Sequence, residues 1–143
     1  HVLYYVIKDN GKALFTGDTL FIGGCGYFFE GTAAQMYAAM SKIAGLPKDT
    51  YLYCGHEYTV SNLEWSQHIE KNNTAITTKL AWAKQQREKG IPTVPAKLEE
   101  ELQYNVFIRC DEPNVQQLLK TVDDSTGTMK KLREMKNQKM RLQ

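Results

Sequence analysis

Two residues of this chain combine type and placement in a way that suits chemistry. Asp18 follows Leu14-Phe15-Thr16-Gly17, and His56 follows Tyr51-Leu52-Tyr53-Cys54-Gly55. Each run reads as a short strand that delivers a polar residue to a strand end, where a carboxylate shielded from water needs a partner. A carboxylate and an imidazole meeting at the same end of one sheet suit a hard or borderline metal ion. Spacing alone leaves two readings open, because Asp after Gly is also a common turn residue and a lone His is commonly packed or solvent-facing. A thiol nucleophile is rejected, since neither Cys25 nor Cys54 has a His partner at a fixed spacing that would activate it.

A second group lies near the end of the chain. Lys130, Lys131, Arg133, Lys136, Lys139 and Arg141 share the last predicted helix with one acid, Glu134. Arg133 and Lys136 are three apart, so both project from one face and can converge on an anionic ligand. A solvated basic face has the same pattern. Nucleic acid is not expected, because interleaved aromatics are absent from this stretch.

The elements that must position these residues follow from local signals. Val2 to Ile7 and Ala13 to Thr16 read as strands joined through Asn10-Gly11, a hairpin signal because turn residues of positive φ are needed there. Gly23-Gly24-Cys25-Gly26 is a loop whose glycines let backbone approach a ligand closely. It has no lysine and no helix directly behind it, as a phosphate loop would require. Thr32-Ala33-Ala34-Gln35 fits a capping box, and Met36, Tyr37, Met40, Ile43 and Ala44 stripe the following helix for packing against the sheet, with Gly45 and Pro47 as its stop. Tyr51 to Tyr53 then returns as a strand to the end that carries Asp18. Beyond Thr59 the only strand predicted is Val106 to Ile108. Ser61-Asn62-Leu63-Glu64 fits another capping box, and Ile76, Leu80 and Ala83 stripe a helix broken by Gly90, Pro92 and Pro95. Val115, Leu118, Leu119 and Val122 stripe a further helix entered at Pro113, and the last helix is predicted from about Thr128. The pattern gives an α+β chain with residues 1–57 as one unit and 58–143 as a helical unit of about four helices.

Composition limits the class. The chain has 143 residues, 42% hydrophobic and 24% charged, an ordinary globular mixture with room for one modest core or two small ones. Its formal charge of +2 is uneven, since residues 1–57 hold four Lys against five acids and residues 58–143 hold fourteen Lys plus Arg against eleven acids. Three widely spaced cysteines without a C-x-x-C pair point to a reducing compartment and away from a disulfide framework or structural zinc site. No signal peptide or membrane span is legible, and no membrane partner is expected. The chain starts at His1, inside a strand pattern, and is expected to be a fragment.

Several strings resemble glyoxalase II, the hydroxyacylglutathione hydrolases of the metallo-β-lactamase superfamily. They are Phe15-Thr16-Gly17-Asp18-Thr19-Leu20-Phe21, Gly24-Cys25-Gly26, Phe29-Glu30-Gly31-Thr32 and Tyr53-Cys54-Gly55-His56-Glu57-Tyr58-Thr59. Lys79-Leu80-Ala81-Trp82-Ala83-Lys84 and Pro92-Thr93-Val94-Pro95 extend the likeness over nearly the whole chain. The resemblance implies the carboxy-terminal part of an αββα sandwich followed by an all-α substrate-binding domain. It implies two divalent metal ions, usually zinc but also iron or manganese, which make hydroxide available near neutral pH to attack a thioester carbonyl. Asp18 matches the bridging Asp and His56 a terminal ligand. Arg133 and Lys136 match the cations that hold glutathione, while Tyr27, Phe28, Phe29, Glu57 and Tyr58 fall in the family's substrate-contacting strings. The implied reaction takes S-D-lactoylglutathione and water to glutathione and D-lactate in methylglyoxal detoxification, carried out by a monomer in the cytosol or mitochondrial matrix.

Two departures qualify that expectation. Where the family usually has Lys, an aromatic residue and Tyr, this chain has Tyr27, Phe28 and Phe29, a loss of polar contacts worth about 2–4 kcal/mol of binding if nothing replaces them. The superfamily's Thr-His-x-His-x-Asp-His run, which supplies most of the metal ligands, is absent, and His1 matches a non-ligand position. Alone, the chain is expected to bind metal weakly and to lack activity. The alternatives are a superfamily thioesterase with a different substrate and an inactive isoform that serves as a binding module.

Overall fold

This computed structural model describes residues 1–141, the last two by backbone alone, so the Arg141 side chain lies outside the description. Strands β1 (Tyr4–Lys8) and β2 (Gly11–Gly17) form an antiparallel hairpin. Lys8 lies opposite Gly11, and Asp9 takes φ 52°. The turn is therefore centred one residue earlier than Asn10-Gly11, with Asp9 supplying the left-handed conformation that short polar side chains tolerate. The chain continues through a two-stranded antiparallel pair, β3 (Leu20–Phe21) and β4 (Gly24–Cys25), into helix α1 (Ala33–Ala44). It returns as β5 (Tyr51–Cys54), which pairs in parallel with β2. Helices α2 (Thr59–Ile69) and α3 (Thr74–Glu88), strand β6 (Ala96–Lys97), and helices α4 (Leu98–Tyr104), α5 (Pro113–Leu119) and α6 (Ser125–Arg141) complete an α+β architecture.

The main sheet has the order β1-β2-β5-β6, so a short strand from the second part of the chain closes one edge of a sheet built by the first. Leu14 and Leu52 point from this sheet into a continuous core that also takes in Met40, Leu63, Phe107 and Leu132. Each such side chain contributes on the order of 1.5–3 kcal/mol by leaving water. The opposite face carries Tyr4, Phe15 and Tyr53 in one row and Val6 and Tyr51 in the next, all exposed.

The local signals explain most helices. Thr32 Oγ1 accepts from the Gln35 N–H at 3.2 Å and Gln35 Oε1 from the Thr32 N–H at 2.9 Å, the capping box the sequence predicts. Met40 and Ile43 of α1 are buried, but the helix packs chiefly on α6 rather than on the sheet. Asn73 caps α3 by accepting from the Ala75 and Ile76 N–H groups, and Ile76, Leu80 and Ala83 are buried as their spacing predicts.

Four expectations are corrected. Ser61 to Glu64 is not a capping box: α2 begins at Thr59, Ser61 donates to the Tyr58 carbonyl at 3.0 Å, and Glu64 pairs with Lys84 at 2.8 Å. Val106 to Ile108 is a turn rather than a strand, with Phe107 N–H donating to Asn105 Oδ1 and its ring stacked on Trp65. In α5 only Val115 and Leu119 of the predicted stripe are buried: Leu118 lies on the helix's exposed side, and the helix stops at Lys120, φ 55°, before it reaches the exposed Val122. Among the described residues five helices, not four, follow Tyr58. The unforeseen one is α4, whose inward face includes a buried acid, Glu101, and so shows no apolar stripe.

Candidate active site

Parallel pairing of β2 and β5 puts their carboxy-terminal ends on one edge of the sheet. Gly17 pairs with Cys54, and the Gly55 N–H donates to the Gly17 carbonyl at 2.9 Å. The residues that follow each strand therefore meet: His56 Nε2 lies 3.5 Å from Asp18 Oδ1, with both side chains about half exposed (50% and 48%). Glycines make the approach possible. A Cβ on Gly55 would stand 2.6 Å from Asp18 Oδ1, and one on Gly26 would stand 1.9 Å from the Asp18 carbonyl oxygen. Thr16 Oγ1 donates to the Leu20 carbonyl at 2.7 Å and closes the turn that carries Asp18. The His56 ring stacks on Tyr58, centroids 4.9 Å apart, and Phe21 meets Tyr58 edge-on.

Asp18 and His56 line a cavity of about 480 Å³ together with Tyr27, Phe29, Tyr58, Arg133 and Lys136. The two cations of α6 are almost wholly buried, at 3% and 7% exposure. Arg133 donates through Nη1 to the Cys25 carbonyl at 2.9 Å and through Nε to Asn137 Oδ1 at 2.8 Å, and its guanidinium lies 4.6 Å from the centre of the Tyr27 ring. Lys136 donates to Asn62 Oδ1 and lies over the faces of Trp65 and Phe107. Burial, followed by the neighbouring Arg133, pushes the Lys136 ammonium down to about 8. The Cys25 thiol is pushed up to about 11 by burial, so it is protonated at neutral pH and unsuited to nucleophilic attack.

The cavity thus unites seven of the nine residues singled out from the sequence. Glu57 and Phe28 are not among the lining residues. Glu57 accepts from the Thr93 N–H and hydroxyl, each at 2.6 Å, which commits its carboxylate to tying the Thr93 segment to the start of α2. Phe28 packs against the core. Sequence reasoning missed the side chains that hold the glycine-rich loop by its backbone. Asn62 donates to the Ile22 carbonyl, Ser66 to that of Gly23, and Asn105 to those of Phe21 and Gly24, while Glu101 accepts from the Gly23 N–H at 3.1 Å. Burial pushes the Glu101 carboxyl up to about 7, against the lowering effect of the hydrogen bonds it accepts. A buried Glu flanked by Asn is the signal that could have marked this support.

As metal donors, a carboxylate oxygen and an imidazole nitrogen at one strand edge have the right chemistry for zinc, iron or manganese. Among the described residues no third His, Cys, Asp or Glu joins them, whereas catalytic zinc sites take three protein ligands. By itself the pair falls short of such a donor set.

Residues 57–139 match the family described as hydroxyacylglutathione hydrolase C-terminus. The chain is 52% identical over 141 residues to a cytoplasmic hydroxyacylglutathione hydrolase of Arabidopsis thaliana, covering 96% of this chain and 54% of the relative. It is 49% identical over 120 residues to a hydroxyacylglutathione hydrolase-like protein of Gallus gallus, covering 81% and 43%. Against a hydroxyacylglutathione hydrolase of Aeromonas hydrophila it is 41% identical over 142 residues, covering 96% and 54%. The chain spans about half the length of the curated relatives it matches, and over that span it belongs to the hydroxyacylglutathione hydrolase family.

Proposed function

We propose that this chain is the substrate-holding part, and one edge of the reactive centre, of a thioester hydrolase. The substrate is a 2-hydroxyacylglutathione, chiefly S-D-lactoylglutathione, and the products are glutathione and D-lactate, as in methylglyoxal detoxification. One observation carries the reading: a single cavity is lined both by the strand-end pair Asp18 and His56 and by the buried cations Arg133 and Lys136. Glutathione offers two carboxylates for the cations and a thioester that the strand edge can face. On this reading the chain's residues divide the work. Arg133 and Lys136 bind carboxylate by charge-assisted hydrogen bonds, Tyr58 holds the His56 ring by stacking, and Asp18 Oδ and His56 Nε2 each offer a donor atom to a pair of divalent ions. Those ions, when bound, supply Lewis acidity and hydroxide near neutral pH.

The same reading places residues 1–57 in the carboxy-terminal part of a metallo-β-lactamase sandwich and residues 58–143 in the helical substrate domain. The exposed aromatic sheet face supports this, because a contiguous apolar face of that kind is normally covered. The protein is read as a cytoplasmic or mitochondrial monomer that needs no nucleic acid or membrane. The similarity to a cytoplasmic Arabidopsis relative favours the first compartment, and no described helix is long and apolar enough to cross a membrane. A different thiol carrier is the second reading, favoured by Tyr27, whose ring covers the Arg133 guanidinium where the family usually places Lys.

The test joins this chain to the part of the Arabidopsis relative that it does not cover and follows hydrolysis of lactoylglutathione alongside metal content. Turnover that is lost, with metal content reduced, in Asp18→Ala is the expected result. Undiminished turnover with full metal content in that variant would refute the assignment, and a tenfold preference in kcat/KM for a non-glutathione thioester, about 1.4 kcal/mol, would favour the second reading.

A further inference from the structure

Lys136 is held in an unusual way for a buried cation. Among the described residues it makes no ion pair, and the hydrogen bond it donates goes to a neutral group, the side-chain oxygen of Asn62. An ammonium has three N–H donors, so a buried one held by a single acceptor is poorly satisfied unless a ligand completes it. Its other neighbours are the faces of Trp65 and Phe107, which attract a cation but leave its hydrogen bonds unmade.

Asn62 is itself fixed. It is buried, and its Nδ2 donates to the Ile22 carbonyl at 3.1 Å, so its oxygen is the atom left to face the ammonium. The reverse orientation would set an N–H₂ group against an N–H₃⁺ group. Space for the amide exists because residue 24 is glycine: a Cβ there would lie 2.8 Å from the Asn62 Cγ and Nδ2. The loop, the amide and the lysine therefore form one chain of contacts.

We propose that Asn62 is the positioning residue that aims the Lys136 ammonium into the cavity, and that a neutral amide at this place keeps the lysine's charge available to a ligand carboxylate. An aspartate would hold the ammonium equally well but neutralise it. This proposal rests on the reading that the cavity takes the anionic part of a glutathione thioester. The charged and titratable groups around Lys136 are Arg133 on its own helix and the buried Cys25 thiol on β4, with Asp18, Tyr27, His56, Tyr58, Glu64 and Lys139 lining the same cavity. Glu64 is already paired with Lys84. The depressed basicity of Lys136 agrees with an ammonium that lacks a carboxylate partner.

The experiment labels lysine side chains in the 143-residue chain and follows the Lys136 titration by NMR without ligand. Asn62→Asp is expected to raise the midpoint by about one pH unit or more, because a carboxylate favours the charged form. Gly24→Ala, which pushes the Asn62 amide away without changing charge, is expected to lower it. The second variant also keeps the proposal testable should Asn62→Asp not fold. Midpoints within about 0.3 unit of the parent in both variants would overturn the proposal, a readout that a merely structural asparagine would not move. Calorimetry with S-methylglutathione at pH 7 forms the second arm. There Asn62→Asp should bind at least about tenfold more weakly than the parent. A shifted titration with no S-methylglutathione binding by the parent would refute the glutathione reading while upholding the Asn62–Lys136 coupling.

Discussion

The two polar pairs that line the cavity are held by opposite means. Asp18 and His56 come from the ends of two parallel strands, are half exposed, and owe their meeting to backbone pairing and to two glycines that leave room for it. Arg133 and Lys136 come from one helix, are almost fully buried, and are fixed by a backbone carbonyl, two side-chain amides and aromatic faces. On the proposed function the first pair offers two metal donors with no third beside them among the described residues, whereas the second pair has its supports within this chain. That proposal predicts binding that is measurable in the 143-residue protein and turnover only when the remaining part of the relatives' length is supplied.

The largest effect should come from breaking the strand end. A side chain at Gly26 would run into the Asp18 carbonyl, a backbone atom that cannot swing aside, so Gly26→Val should lose about 3 kcal/mol or more in a denaturant melt. Stability within about 0.5 kcal/mol of the parent would show that the loop yields and that Asp18 is not held as described.

Next in size is a pH effect in the loop support. The Glu101 carboxyl titrates near 7 when folded and near 4.5 when unfolded, so the folded state binds more protons between those values. Stability should therefore fall as pH rises from about 4.5 to 7, by on the order of 3 kcal/mol, and Glu101→Gln should flatten that slope. An unchanged slope in the variant would place the proton uptake elsewhere.

Lys136 should behave in the reverse sense. Its folded value of about 8 lies below the ordinary 10.5, so the cost of burying the cation is present in full below pH 8 and is relieved as pH climbs towards 10.5. Lys136→Met removes that cost and should raise stability at pH 7 by about 1–2 kcal/mol while weakening anion binding. A variant both less stable and equally good at binding would contradict the functional role of the pair. The smallest effect is expected at Tyr27, where Tyr27→Ala removes the ring over Arg133 and should cost about 0.5–2 kcal/mol, read as a loss of thermal stability.

The same contrast explains what could be read from the sequence. Asp18 and His56 were legible because a short apolar strand ending in a polar residue is a local pattern, and parallel pairing around α1 then brings the two together. The Thr32 capping box and the α3 stripe were legible for the same reason. Ser-x-x-Glu spacing puts Asn62 in a helix start, but the helix begins earlier and tertiary contacts with Ile22 and Lys136 use that amide. The β-branched neighbours of Phe107 predict a strand, yet Phe107 plugs the core from a turn beside Trp65. Glu101 and Asn105 were passed over because a buried acid satisfied by backbone some eighty residues away leaves no periodic trace. Apart from Phe107, what escaped was polar, buried and long-range.

The proposed function requires the anion-holding half of the site to be complete in this chain. Calorimetric titration of the 143-residue protein with S-methylglutathione at pH 7, beside Lys136→Met and Arg133→Ala, tests it most directly. The account predicts saturable binding by the parent and at least about tenfold weaker binding in each variant, 1.4 kcal/mol or more. Binding of equal strength in all three proteins, or none in the parent, would contradict it.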